Sequence, residues 1–339
     1  LRFSVFGGPA YLPDALAYRS CLQNSLLFVN FPDIMSTVTI SVVNAFVDGG
    51  TGGNPAGIVL DADRFDQATK QRIATRVGLS ETAFVSASAV ADFNLEFFTP
   101  VRQIAHCGHA TIAAFSYLAQ QGILTKTHSS RETVDGPRAV YLDGDLAFME
   151  QAAPTYQFPD LLDAEVTNLR ILQSLGLTPS DLLDDQLPLV VNTGNSFMLV
   201  PVRSAEIVQW AVPNQAEIER VSERLDLVGY YLFSPDTRKP DRDAGARMFA
   251  PAYGINEEAA TGMAAGPLAC YLYDALKLRK TTFLIEQGHL MQPPSPSLLT
   301  ARLQTEQGLI TGLLVGGSAQ VSHTIDIHIP AATLSDCSN

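Results

Sequence analysis

Cysteine, basic clusters and long apolar runs are all scarce in this chain, and each scarcity removes a class of function. Four cysteines, Cys21, Cys107, Cys270 and Cys337, are scattered over 339 residues without a CxxC pair. That spacing offers no structural zinc site and fits a reducing, cytoplasmic compartment. His106 and His109 flank Cys107, but three ligands within four residues would crowd one ion, so no metal is expected. Acidic residues outnumber basic ones 35 to 22, and Lys and Arg form no dense run. A net charge of −13 therefore argues against nucleic acid or an anionic membrane as partner. It leaves room for a small anionic substrate, because a few local backbone donors outweigh a distant surface field. No apolar run is long enough to cross a bilayer. A P-loop, a GxGxxG between strand and helix, a GxSxG elbow and an HExxH are also missing. Nucleotide-dependent chemistry and serine or zinc hydrolysis lose their support, and no cofactor is expected.

What is present is a well-packed globular pattern, with 46% hydrophobic and 17% charged residues. The length suits two domains of ordinary size. Residues 1–34 read as an extension ahead of Met35, where the β-rich run STVTISVVNAF opens a domain. The expected boundaries are 35–150 and 160–330.

The halves carry a faint duplication. GNPAGIVL (Gly53 to Leu60) and GNSFMLV (Gly194 to Val200) each put a Gly-Asn turn before an apolar strand. Further along, FFTPVRQIAHCGHAT and MFAPAYGINEEAATGMAAG each run from a strand through Phe-x-Pro and a loop into an apolar helix. Seven positions separate Pro100 from Cys107 and Pro251 from Glu258, so the spacing pairs Cys107 with Glu258. Elsewhere, Asp66 to Val77 reads as an amphipathic helix stopped by Gly78, and Glu217 to Leu225 as another. Strands are expected at Leu95–Phe98, Ala139–Leu142, Leu189–Val191, Tyr230–Phe233, Thr282–Glu286, Leu298–Leu303 and Ser322–Ile329. Gln151–Pro159 reads as a crossover between halves, and Gln292–Pro296 as a loop too rich in proline for a central strand.

Three loops carry candidate chemistry. LSETAFV holds Glu81 between Ser80 and Thr82, either as an exposed turn glutamate or as a carboxylate drawn into an apolar pocket. In a pocket its pKa would rise into the range of a general acid–base. HCGHAT places Cys107, Gly108 and His109 where a helix begins, so free N–H groups and the helix dipole favour an anion there. His109 suits proton transfer near neutral pH; Cys107 competes with the reading of a small buried thiol. EEAATGMAAG repeats the helix start at Thr261, Gly262 and Met263. Neighbouring side chains in a loop diverge, so only one of Glu257 and Glu258 should face the site.

These motifs together resemble the PhzF-like (phenazine-biosynthesis-like) family of the diaminopimelate epimerase fold, from about Met35 to about Pro330. The resemblance implies an α/β (α+β) fold of two pseudo-duplicated domains, each a curled, mostly antiparallel sheet around a central helix. It implies a site between the domains, and a homodimer. The family's catalytic carboxylate falls on Glu81 and its histidine on His109; its EDPATGSA loop falls on Glu257 to Ala264. Here Glu258 stands for Asp, Ala259 for Pro and Met263 for Ser, and QGHLMQPPSP lacks the usual Arg. Epimerases of the broader fold use one thiol from each half. Cys107 has no such partner, since Cys270 lies deep in the following helix.

The expected activity is a cofactor-independent isomerase shifting a proton on a small carboxylate-bearing metabolite. Glu81, His109 and Glu258 are the expected catalytic groups. Asn54, Ser80, Cys107, Gly108, Thr261, Gly262 and Met263 are expected to bind substrate. Two alternatives stand beside it: an amino-acid epimerase or dehydratase using Cys107 with a carboxylate, and a non-catalytic interaction protein on the same fold.

Overall fold

A computed structural model describes residues 35–133 and 136–330. The expected extension 1–34 and its Cys21, like Cys337, lie outside the described residues. The first half contains β1 (Met35–Ala45), β2 (Asn54–Val59), α1 (Gln67–Val77), β3 (Thr82–Ser86), β4 (Phe93–Phe98) and β5 (Gln103–Ile104). It continues with α2 (Gly108–Gln120), β6 (His128–Glu132), β7 (Arg138–Asp143) and β8 (Leu146–Ala152). The second half begins with β9 (Thr155–Gln157), α3 (Pro159–Leu162), α4 (Asn168–Ser174), β10 (Leu189–Asn192), β11 (Ser196–Pro201) and α5 (Ala205–Trp210). Then come α6 (Gln215–Leu225), β12 (Gly229–Ser234), β13 (Ala244–Ala250), β14 (Ile255–Glu258) and α7 (Gly262–Asp274). The chain closes with β15 (Thr282–Gln287), β16 (Ser297–Glu306) and β17 (Leu309–Pro330).

Strand pairing makes the duplication explicit. β1–β2 is antiparallel, β2–β3 parallel, β3–β4 and β4–β5 antiparallel, β4–β6 parallel, and β6–β7 and β7–β8 antiparallel. From β10 the same sequence of pairings recurs: β10–β11 antiparallel, β11–β12 parallel, β12–β13 and β13–β14 antiparallel. β13–β15 is then parallel, and β15–β16 and β16–β17 antiparallel. The halves exchange their last strands. β17 pairs with β8 along its first part and with β1 along its last, so the first ring closes on a strand from the second half. β8 leads into β9, which joins β10. The stretch expected to be a plain crossover, Gln151–Pro159, therefore ends one strand and forms another, because its backbone finds partners in β10.

A helix that is apolar on all sides must be wrapped rather than laid on a surface. α2 buries ten of its thirteen residues and α7 eleven of thirteen, and each fills the inside of one curled sheet. One continuous apolar cluster joins both interiors, including Phe97, Phe115, Phe197 and Phe283. The outer helices follow the capping signals. Asp66 accepts a 2.7 Å hydrogen bond from the Thr69 N–H at the start of α1, and Gly78 ends that helix at φ 70°. α6 is likewise capped by Asn214.

The two interiors meet where α2 and α7 begin. Phe46, fully buried, holds the left-handed conformation (φ 61°) that a bulky residue adopts only when its surroundings enforce it. Its ring lies 3.0 Å from where a Cβ on Gly262 would stand, so any larger first residue of α7 obliges Phe46 to shift. Gly262→Ala is expected to cost roughly 1–3 kcal/mol through overpacking, seen as a lower midpoint in urea unfolding. An unchanged midpoint would show that Phe46 yields.

Candidate active site

The catalytic candidates come from three places in the chain. Glu81 immediately precedes β3, in the parallel connection from β2, where its own carbonyl accepts from the Gly57 N–H at 3.1 Å. His109 is the second residue of α2, and Glu258 the last of β14. Folding brings them together: His109 Nε2 lies 3.2 Å from Glu81 Oε2, and Nδ1 lies 3.5 Å from Glu258 Oε1. The imidazole is thus held between carboxylates from the two halves. His109 is 4% exposed and Glu81 7%, so neither charge can be left to water. Glu81 Oε2 is close enough for an ion pair but receives no aligned hydrogen bond.

These groups line a cavity of about 390 Å³ together with Cys107, Gly108, Thr261 and Met263. The N-termini of α2 and α7 both open on it. Gly108 and His109, like Gly262 and Met263, occupy first turns, where no intrahelical carbonyl is available to their N–H groups. Two such ends, each carrying about half a positive charge, form a place for a carboxylate. Ile104, Val228, Met248 and Ile255 give the cavity an apolar side, and Arg102 and Tyr253 also stand on its wall.

Glu258 is held from every side. Asn54 donates to its Oε1 at 3.0 Å and to the carbonyl of Ala260 at the same distance. Thr261 donates its hydroxyl to Oε2. Gln287, fully buried, donates to the Glu258 carbonyl at 2.7 Å and to Thr261 Oγ1 at 3.2 Å. Gln287 Oε1 in turn accepts from the Thr261 N–H and from the Tyr231 hydroxyl. Glu257 turns the other way and pairs with Arg247 at 2.8 Å through both oxygens. The expected divergence of the two glutamates is met.

Several expectations change. Cys107 is the N-cap of α2, and the N-cap of α7 is Thr261. The structural counterpart of Cys107 is therefore Thr261 rather than Glu258, and His109 matches Met263. Counting from the prolines misled because the second half inserts three residues, and β14 is correspondingly longer than β5. Asn54 does not line the cavity; it secures Glu258 from behind. Ser80 is exposed and also off the wall, with its hydroxyl beside Glu81. Sequence reasoning passed over Gln287, although its place in QGHLM was visible. It also missed Asn195, whose amide reaches Met263 Sδ at 3.5 Å. The Gly-Asn repeat was the signal for Asn195.

Electrostatics reverse the expected behaviour of Glu81. Burial pushes its pKa up, but the His109 cation more than offsets this, and the Ser80 hydroxyl adds to the effect, so the carboxyl falls below its ordinary value. Burial opposes charge on His109, yet Cys107, Glu258 and Glu81 around it lift its pKa well above the ordinary value. Burial raises the Cys107 thiol. The lowered Glu81 and the raised His109 both favour a carboxylate facing an imidazolium. Glu81, Cys107 and His109 also bring three potential metal ligands within 4.8 Å of one another. Both imidazole nitrogens already face a carboxylate, an arrangement suited to holding protons.

A depressed Glu81 contributes stability above its ordinary value of 4.5, lost as pH falls through the folded-state value. A raised His109 contributes stability below 6.5, lost as pH rises through its folded-state value. The pair thus stabilises the fold fully only between those two ordinary values. In an NMR titration the His109 ring should remain protonated well above pH 6.5, and Glu81→Gln should bring its midpoint down. An ordinary midpoint in the unaltered protein would refute the pairing.

Residues 43–324 match the family described as phenazine biosynthesis-like protein. The chain is 34% identical over 262 residues to an uncharacterized isomerase, YfhB, of Bacillus subtilis, covering 75% of this chain and 87% of that one. It is 27% identical over 287 residues to trans-2,3-dihydro-3-hydroxyanthranilate isomerase of Pseudomonas chlororaphis, covering 82% and 94%. The crystal structure of a Bacillus anthracis phenazine biosynthesis protein of the PhzF family superposes with a TM-score of 0.78 at 26% identity, covering 87% of this chain and all of that one.

Proposed function

This chain belongs to the phenazine biosynthesis-like family, and on that premise we propose that it is a cofactor-independent isomerase moving a proton between carbons of a small carboxylate-bearing metabolite. One observation carries the reading: Glu81 Oε2 and His109 Nε2 lie 3.2 Å apart on the wall of a cavity into which two helix N-termini open. The substrate carboxylate would sit against the N–H groups of Gly108, His109, Gly262 and Met263. A carbon conjugated with it through double bonds would then face Glu81. Removal of its proton leaves an electron pair that the bound carboxylate helps delocalise, and the imidazolium offsets the growing negative charge. Glu258, fixed by Asn54, Thr261 and Gln287, keeps the imidazole in place.

Two isomerase-named relatives support the class of reaction, one of them named for trans-2,3-dihydro-3-hydroxyanthranilate. That compound is a carboxylate of suitable size and the first substrate to offer. Met263 in place of a hydroxyl residue, and the apolar wall beside it, favour a substrate with a hydrocarbon face.

Glu81→Gln keeps the shape and removes the base. Turnover is expected to fall by ~10²–10⁴, with substrate affinity changed far less. Full turnover in that variant would end the assignment.

A further inference from the structure

The cavity has an order of depth that both halves share. Along the loop into α2, the wall runs from the exposed Arg102 through the half-buried Ile104 to the buried Cys107 and His109. Along the loop into α7 it runs from the exposed Tyr253 through the half-buried Ile255 to the buried Thr261. Two positions separate Pro100 from Arg102 and Pro251 from Tyr253, and four separate the same prolines from Ile104 and Ile255. The repeat therefore holds as far as the isoleucines, ahead of the three-residue insertion, and sets Arg102 and Tyr253 at matching places on the rim. Among the described residues, Arg102 is the only Arg or Lys on the wall. Its backbone is pinned. The Thr99 N–H donates to the Arg102 carbonyl at 2.8 Å, and Thr99 Oγ1 accepts from the Arg102 N–H at 3.1 Å. Gln71 and Thr75 of α1 donate in turn to the carbonyls of Thr99 and Pro100. The guanidinium, by contrast, has no hydrogen bond or ion pair among the described residues. A fixed backbone thus carries an unengaged cation at the entrance of the site.

We propose that Arg102 sets the substrate class: the metabolite carries a second carboxylate, which pairs with this guanidinium at the rim while the first sits against the helix starts on the floor. The proposal rests on the isomerase reading for the seat of the first carboxylate. Between floor and rim the wall is apolar, with Ile104, Val228, Met248 and Ile255. The middle of the molecule is therefore hydrocarbon, and its acidic groups stand at the ends. A guanidinium stays charged at any working pH and donates two parallel N–H bonds to one carboxylate. A single such group matches a carboxylate; a phosphate dianion would leave charge without a donor. The net charge of −13 repels anions from the chain as a whole, so a cation at the entrance helps capture as well as selection. A neutral or cationic group at that end of the ligand would leave Arg102 unused or repelled. trans-2,3-Dihydro-3-hydroxyanthranilate has one carboxylate and no partner for Arg102, so a dicarboxylate is the better ligand.

Equilibrium binding tests this without any turnover. Glutarate, adipate, pimelate and suberate are each titrated by calorimetry near neutral pH against the monocarboxylate of the same carbon number. The series lets the distance from floor to rim select its own length. At least one dicarboxylate should bind about fivefold tighter or more than its monocarboxylate, the gain that a well-aligned Arg–carboxylate pair near the surface supplies. Arg102→Gln should remove that gain and leave the monocarboxylate affinity unchanged, which also shows that the variant is folded. Arg102→Lys should keep part of the gain, since the charge remains while the planar fork is lost. No gain at any length, or a gain that survives Arg102→Gln, would overturn the proposal. Monocarboxylate binding that leaves the His109 ring signals unmoved in NMR would remove the seat on the floor, and the substrate class with it. The isomerase reading is decided separately by the turnover of Glu81→Gln, in which Arg102 plays no part, so the two can fail independently.

Discussion

A buried imidazolium between two carboxylates is the interaction on which the rest depends. Charge cannot be left unpaired away from water, so His109 at 4% exposure requires its partners. Those partners come from opposite halves of the chain, Glu81 from the first and Glu258 from the second. The site therefore draws on residues from both halves of the chain. Strands β8–β9 and β17 pass between the two rings and tie them together. The helix ends complete the balance, since two partial positive charges at the starts of α2 and α7 face the net negative pair of carboxylates.

The repeated halves have divided the work. Glu81, Cys107 and His109 all belong to the first, around the start of α2. The second contributes a rigid mount: Gln287 binds the Glu258–Thr261 turn from beneath, Thr261 and Asn54 hold the carboxylate, and Arg247 takes Glu257 away from the cavity. Met263, at the place matching His109, brings an apolar side chain instead of a proton carrier. The two halves thus do not present mirror-image side chains at their helix starts among the described residues.

Gly262 illustrates how packing and chemistry share residues. Its lack of a side chain leaves room for the Phe46 ring against the start of α7. The same close approach puts both helix starts on one cavity. A larger residue there would disturb the packing and the anion-binding end together.

Much of this was legible in the residues. Asp66 and Gly78 mark the ends of α1 through local hydrogen bonding and backbone freedom, and the Gly-Asn turns and Phe-x-Pro loops reveal the duplication. SET, GHAT and EEAATG contain all three candidate groups that the fold brings together, since each is a local motif readable within a few residues. Three things needed the folded chain. Pairing Cys107 with Thr261 depends on where α7 starts, which a three-residue insertion obscures in a count from proline. Asn54 proved to support Glu258 rather than line the cavity, because a side chain's facing is set by the strands around it. The direction of the Glu81 pKa was the largest reversal. The sequence by itself determined that a glutamate, a thiol and a histidine stand near helix starts in a two-fold repeated fold. Only the tertiary structure decided that Glu81 meets His109 in a buried pair, because ionisation follows distance and burial rather than residue type.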